Sequence, residues 1–397
     1  MDASRIRING PLARYLEGLW AALAAQGYRP LSIANVARLM AHLSGWLGRW
    51  RLTAADLGTD QIGRFLQHRR RAGYTAWVSS HGLEPILQHL RAVGAAPAPV
   101  RPVVVPTAID HLVARYSQYL RRERALSSST GAFYVRMARA VLPPDGDLRS
   151  LTAASVTAFV LRESRTFSIA YTKYKVTALR CLLRYLYVHG DIPTNLAAAV
   201  PAVAGWRLSS LPRDVPPHVL KQLLQHCNHR THVGRRARAA MLLMARLGLR
   251  VGEVAALRLD DIDWTAGELL IRGKGGYFDR LPLPADVGSA LAAYLRWSRP
   301  RMDSRAVFLR VHAPHDRLRA GGLKSVLRAA CTRAGLPTMG THRLRHTAAT
   351  QMLRQGSPLT EIAQVLRHRH VDTTAIYAKV DRVSLRQLAQ PWPGGDR

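Results

Sequence analysis

The sequence predicts a mainly α fold with a small β-hairpin, an α+β chain made of two helical segments and one mixed segment. Three observations carry this. Two proline-rich stretches, Pro97 to Pro106 and Pro212 to Pro217, interrupt the 397 residues. Proline lacks the donor that a helix interior needs, so both read as linkers. Apolar residues recur at i, i+3 and i+4 through much of the remainder, which is the signature of amphipathic helices. The run Gly273-Lys274-Gly275-Gly276 lies between two short strand-like runs and reads as a hairpin turn, where glycine adopts positive φ without strain. The linkers divide the chain into residues 1–95, 107–203 and 213–397.

The first two segments each read as about four amphipathic helices. They look like divergent copies of one unit. Leu31-Ser32 corresponds to Leu126-Ser127, and Leu57, Ile62 and Phe65 to Leu151, Val156 and Phe159. Ile86, Leu87, Leu90 and Gly94 correspond to Leu182, Leu183, Leu186 and Gly190. Two unrelated helical bundles can also match in this way, because helical periodicity is easily met. The second copy interleaves Tyr171, Lys173, Tyr174, Lys175, Arg180, Arg184 and Tyr185, a mixture that suits either a DNA backbone or a core.

In the third segment, Ala237 to Leu247 reads as a helix stopped by Gly248, followed by a short helix from Val251 to Leu257. Leu269 to Arg272 and Arg280 to Leu283 read as the hairpin strands. Helices are expected at Val287 to Trp297, Gly322 to Ala334 and Arg343 to Gln355. Ser357 reads as an N-cap with Pro358 at the first helical position, starting a helix through Leu366. Thr373 is placed to cap the next helix, which carries Tyr377, and Val380 to Gln390 reads as a short amphipathic helix.

Composition narrows the function. Lys and Arg number 58 against 25 Asp and Glu, a formal net charge of +33. Such a chain repels itself unless a polyanion neutralises it, and duplex DNA, with one negative charge per ~1.7 Å of axis, is such a polyanion. A bias toward arginine codons explains the choice of Arg over Lys but not the shortage of acids. Cys181, Cys227 and Cys331 are odd in number and form no CxxC, which argues against a disulfide framework or a cysteine zinc site and fits a reducing cytoplasm. No run approaches the roughly 18 apolar residues of a membrane span. Gly18 to Ala25 follows Arg5, Arg7 and Arg14, but Glu17 at its edge favours an ordinary helix over an export signal.

Six residues of the third segment form a chemical set: Arg250 just past the glycine-terminated helix, Lys274 at the hairpin tip, His342 and Arg345 on one helical face, His368 past a helix end, and Tyr377. Two guanidiniums can grip the non-bridging oxygens of a phosphodiester. Imidazoles relay protons near neutral pH, a lysine can protonate a leaving alkoxide, and a tyrosine oxygen can attack phosphorus. The set covers transesterification without a metal or nucleotide cofactor. Taken singly, each residue has an ordinary structural reading. His342 and His346, one turn apart, could also mark a metal site, but Arg343 stands where a zinc hydrolase motif requires glutamate.

Together these stretches resemble the phage integrase, or tyrosine recombinase, family. LGLRVGE around Arg250 is similar to the first arginine box, GKGGYFDRLPL to the lysine-bearing hairpin, THRLRHTAAT to the second box, and LRHRHVDTTAIYAKV to the last box, which ends in the nucleophile. Four boxes in order cover about residues 213–390. The resemblance implies that Tyr377 attacks the scissile phosphate, giving a 3′-phosphotyrosyl bond and a free 5′-hydroxyl. Arg250 and Arg345 would hold the phosphate, His342 and His368 would assist proton transfer, and Lys274 would act as general acid. Residues 107–203 are similar to the family's core-binding domain, which with the catalytic domain would form a C-shaped clamp around double-stranded DNA. The resemblance further implies a tetramer on paired sites, exchanging strands through a Holliday junction.

Two departures stand out. Gly276-Tyr277-Phe278 replaces the more polar residues many members carry at the hairpin. Residues 1–95 lack the β-sheet character of the lambda-type arm-binding domain, which suggests a second helical DNA-binding copy and an integrase or transposase of a mobile element. A non-catalytic DNA-binding accessory protein and a type IB topoisomerase are the other readings. The complete catalytic set argues against the first, and the helix after Tyr377 against the second.

Overall fold

The computed structural model describes residues 6–99, 106–205, 214–273, 278–367 and 374–380. The first stretch folds into α1 (Leu16–Ala25), α2 (Pro30–Arg49), α3 (Thr59–Arg71) and α4 (Ser80–Ala92). Pro30 opens α2 at a position whose N–H has no helical partner anyway. Leu39, Met40, Leu43 and Leu47 of α2 join Leu19, Phe65 and Leu87 in one apolar core.

The second stretch folds into α5 (Ala108–Arg122), α6 (Ser128–Val141), α7 (Ala153–Thr166) and α8 (Ile169–Val188). A reciprocal cap starts α5: Asp110 N–H donates to Thr107 Oγ1 at 3.2 Å, and Thr107 N–H donates to Asp110 Oδ2 at 3.0 Å. Tyr116, Phe159, Leu182 and Leu186 centre a separate core. The corresponding positions of the two stretches play matching parts. Ile86, Leu87 and Leu90 of α4 and Leu182, Leu183 and Leu186 of α8 are all buried. Gly94 at φ +70° and Gly190 at φ +74° follow those helices in the left-handed region.

The third stretch comprises α9 (Pro217–Gln225), α10 (His232–Arg246), α11 (Val251–Ala256), β1 (Ile262–Asp263), β2 (Glu268–Arg272), β3 (Phe278–Pro282), α12 (Ala285–Trp297), α13 (Ala320–Arg333), α14 (Thr341–Arg354) and α15 (Leu359–Val365), with a 3-10 turn at Ala375–Val380. The strands form one antiparallel sheet in the order β1-β2-β3, with Leu269 opposite Leu281. Leu269 and Ile271 point into the core from alternate positions of β2. α10 is buried along most of its length and packs on α12 and α14. It is the axis on which the site is built. Residues 1–100 and 210–397 make one compact unit, and 101–209 make another.

Some boundaries differ from the sequence expectation. α10 starts at His232 rather than Ala237, because the Thr231 hydroxyl accepts from Gly234 N–H at 3.1 Å and caps an earlier turn whose arginines mask its apolar stripe. Ser357 is not the cap of α15. Pro358 takes that place in an extended conformation, φ −65° and ψ 150°, and the helix begins at Leu359. β1, two residues long, is too short to show alternation in sequence. Lys274, His368, Thr373 and the tail beyond Val380 lie outside the described residues. Among those described, no helix is long and apolar enough to cross a membrane.

Candidate active site

Gly248 makes the site sterically feasible. It sits just past α10 at φ +61°, in the left-handed region that side chains disfavour. A Cβ there would come within 2.4 Å of Leu366 Cδ2. The tight turn lets the chain reverse and place Arg250 at the start of α11. It also lets α14 and the turn after α15 approach the end of α10. Replacing Gly248 with Ala is expected to cost about 1–3 kcal/mol of backbone strain plus the clash with Leu366. A fall of several degrees in the melting midpoint, followed by circular dichroism, checks this.

Arg250 is held by a buried carboxylate. Its N–H donates to Glu253 Oε2 at 2.8 Å and its Nη1 to Glu253 Oε1 at 2.8 Å. Its Nη2 donates to the Arg367 carbonyl at 3.2 Å. Its side chain is still 41% exposed, so it retains a face for a ligand. Arg345, on α14, is buried and donates to the Gly248 and Leu366 carbonyls. The two arginines, far apart in sequence, thus converge on the carbonyls of adjacent residues.

Glu253 also accepts from Arg367 Nη2 at 2.9 Å. Burial pushes the Glu253 carboxyl up, but Arg367 and the hydrogen bonds from Arg250 outweigh it and hold it below 4.5. Arg367 adopts φ +55°, a strained conformation for a side chain with a Cβ, and its guanidinium is almost fully buried. Burial draws Arg345 down to about 10, helped by the charge of Arg250, so it remains a guanidinium at neutral pH. His342 is pushed below 6.5, first by the protein around it and then by Arg345, Arg250 and Lys324, although part of its ring stays open to solvent.

Tyr377, in the Ala375–Val380 turn, is 2% exposed and packs with Ala349, Ile362 and Leu366. Its hydroxyl lies 2.8 Å from Nδ1 of His346. Burial pushes the phenol up to about 12, Arg345 opposing. His346 is held below 6.5 by burial, with His342 and Arg345 adding to it. Of the six expected residues, the structure gathers Arg250, His342, Arg345 and Tyr377, while Lys274 and His368 lie outside the described part. Glu253, Arg367 and the His346 contact were not in the expected set. The only advance signals were the glutamate three residues after Arg250 and the second histidine of the HxxRH run. Three arginines and one carboxylate leave the cluster net positive and suited to an anion. Among the described residues, no group of acidic, histidine or cysteine side chains is placed to hold a metal.

The model of the phage integrase family matches residues 213–383. A protein of Sinorhizobium fredii described as an integrase/recombinase, y4rA, is 42% identical over 97% of this chain and 96% of its own length. The tyrosine recombinase XerC of Histophilus somni is 30% identical over 70% of this chain and 95% of its own. Among solved structures, a lambda integrase dimer (residues 75–356) bound to a COC′ core site shares the fold at TM-score 0.54, with 20% identity over 72% of this chain and 98% of that one. XerH recombinase bound to palindromic difH substrate in a post-cleavage complex matches at TM-score 0.54, with 19% identity over 82% and 93%. Fold, site and relatives together define an enzyme that cleaves and rejoins DNA strands. The chain belongs to the phage integrase, or tyrosine recombinase, family.

Proposed function

We propose that this recombinase acts on double-stranded DNA at paired sites, through a covalent 3′-phosphotyrosyl link on Tyr377. The observation that supports it best is the convergence of Arg250, Arg345 and the His346-held Tyr377 on the turn at residues 366 and 367. In the forward step, the Tyr377 oxygen bonds to phosphorus while the bond from phosphorus to the 5′ oxygen breaks. The phenol proton passes to Nδ1 of a neutral His346, and the 5′ oxygen takes a proton from Lys274, the role the family resemblance gives that residue. Arg250 and Arg345 neutralise the non-bridging oxygens, where preorganised donors act most strongly. His342 and His368 assist in charge stabilisation. The phosphotyrosine keeps the energy of the ester, so rejoining needs neither ATP nor a metal cofactor.

The relatives solved as DNA-bound dimers and as a tetramer on a Holliday junction support self-association on DNA, with a tetramer as the working form. Residues 107–203 would serve as core-binding domain and residues 1–95 as a further helical DNA-binding element, with the protein acting in the cytoplasm on the nucleoid. The description of y4rA as an integrase/recombinase supports a mobile-element role. An accessory DNA-binding protein would have no use for so mutually braced a cluster of Arg250, Arg345, His346 and Tyr377.

The test is a suicide substrate, a duplex nicked so that the freed 5′ fragment diffuses away. A covalent adduct mapped to Tyr377, formed in EDTA without ATP, is expected. A strict magnesium requirement for cleavage would overturn the mechanism. The pH profile carries a second expectation. Because burial holds His346 below 6.5, its protonation is centred below that value, and the acid-side fall in cleavage should be centred below it too. A fall centred at or above that value would show that His346 is not the acceptor.

A further inference from the structure

A cavity of about 760 Å³ opens between the helices of residues 6–99 and the third stretch, within one compact unit. Its walls are braced. Gly27, at φ +82°, lets the N-terminal helices approach so closely that a Cβ would fall 2.3 Å from His315 Cδ2. The His315 ring is fixed in turn, its Nδ1 lying 3.0 Å from the Arg310 carbonyl. On a second wall, Trp77 stands 40% exposed at φ +59°. Its loop is clamped on both sides by Arg69 donating to the Ala76 carbonyl at 3.2 Å and Arg70 to the Val78 carbonyl at 2.8 Å. A tryptophan held in a strained conformation at a cavity wall is the kind of outlier that marks a functional position. On the third wall, Trp297 is 57% exposed, and the Arg296 guanidinium lies 4.6 Å from its ring centre. Arg299 donates to the Ala306 carbonyl at 2.9 Å and folds the turn that brings Arg301 to the cavity.

The lining is basic and aromatic. Arg29, Arg296 and Arg301 contribute charge, three histidines add donors, and among the described residues no carboxylate lines the space. Arg29 and Arg301 have no ion-pair partner among the described residues. The cavity is also remote from the cluster around Tyr377. Arg246, at the end of α10, pairs with Asp286 at the start of α12 at 2.9 Å, so the two helices run antiparallel. His232 and Trp297 therefore mark one end of this pair, and Arg250 lies past the other. At 1.5 Å per residue, α10 alone separates them by roughly 20 Å.

We propose that this cavity binds an unpaired stretch of nucleic-acid strand, with phosphates on Arg29, Arg296 and Arg301 and bases against Trp77 and Trp297. The volume falls in the range of about 300–1,000 Å³ that holds a ligand of drug size. That accommodates one or two nucleotides but not a duplex. Paired bases offer no free face to a tryptophan, whereas unpaired bases stack on any aromatic ring regardless of sequence. The widely exposed Trp297 leaves the rim open, so a strand can continue on either side. This inference goes beyond the strand-exchange reading and does not depend on Tyr377.

The test uses the full-length chain and a short oligothymidylate carrying one photoactivatable 4-thiothymidine, with crosslinked peptides identified by mass spectrometry. Crosslinks on the peptides that contain Trp77 or Trp297 are expected. Affinity should fall roughly tenfold in Trp297→Ala and in Arg301→Ala. Adduct formation by Tyr377 on a suicide duplex should stay unchanged in both. Arg301→Ala serves as the second variant should Trp297→Ala fail to fold. Crosslinks confined to other peptides, or unchanged affinity in a folded variant, would overturn the proposal. So would crosslinks on the Trp77 and Trp297 peptides forming equally well from a duplex that carries the same photoactivatable base. Thymidine monophosphate binding as tightly as the oligomer would identify a free nucleotide and also overturn the strand assignment.

Discussion

Tyr377→Phe is expected to form no covalent adduct on a suicide substrate while retaining DNA binding close to that of the unmodified chain. The substitution removes one oxygen and leaves a ring of the same shape. That ring is 2% exposed and packed against Ala349, Ile362 and Leu366, so the fold should be nearly indifferent. The lost contact is the hydrogen bond to His346. The phosphate contacts are assigned to Arg250 and Arg345, which the change does not touch. Deleting a nucleophile lowers rates by on the order of 10⁶ where this has been dissected, which here means below detection. The measurements are an adduct gel and a gel-shift titration. An adduct that persists in the variant would move the nucleophile to another tyrosine, with Tyr277 at the hairpin the first to map.

Arg345→Lys is expected to lower single-turnover cleavage by on the order of 10²–10³ although it keeps the charge. Arg345 does two jobs with one fork. Two of its donors fasten the Gly248 and Leu366 carbonyls, and the proposed mechanism puts the others on a phosphate. A lysine has a single ammonium that cannot span both carbonyls and still reach a ligand. One buried carbonyl is then left unpaired, at a cost of about 1–3 kcal/mol. Arg250→Lys provides the contrast. Its side chain is 41% exposed and holds one carbonyl and the Glu253 carboxylate, which a lysine can still pair, so its loss of cleavage should come with a smaller fall in thermal stability. Cleavage near the unmodified rate in Arg345→Lys would make this arginine a structural brace only.

That Arg250, His342, Arg345 and Tyr377 would come together was legible in the sequence, because their order and residue types suit one chemistry before any fold is known. The helical segments were legible for a different reason. Buried stripes such as Leu182, Leu183 and Leu186 repeat at helical spacing, and Gly190 punctuates them. What stayed hidden depends on tertiary approach. His346 sits one turn beyond His342 on α14, and which of the two meets the tyrosine is decided by where residues 374–380 dock. Arg367 was unreadable because periodicity says nothing about a non-glycine residue at positive φ. Its partner Glu253 resembles any capping glutamate until Arg367 arrives from more than a hundred residues away. The start of α10 was misplaced because local arginines diluted an apolar stripe that only the folded core makes plain.

The same crowding of cations has a thermodynamic consequence. Arg250 and Arg367 share the carboxylate of Glu253, Arg345 lies near enough to feel its charge without bonding to it, and burial together with Arg345 and Arg250 holds His342 below its usual range. One carboxylate among these cations leaves a net positive charge at the centre of the cluster, and a phosphodiester held there as proposed would supply the missing counter-ion. On that reading substrate would act as a structural component of the enzyme. By mass action, any DNA bound only by the folded form raises the unfolding free energy by RT ln(1 + [L]/Kd), about 2.7 kcal/mol at a hundredfold excess over Kd. A recombinase built this way would be softest when free and set firmly only on its target.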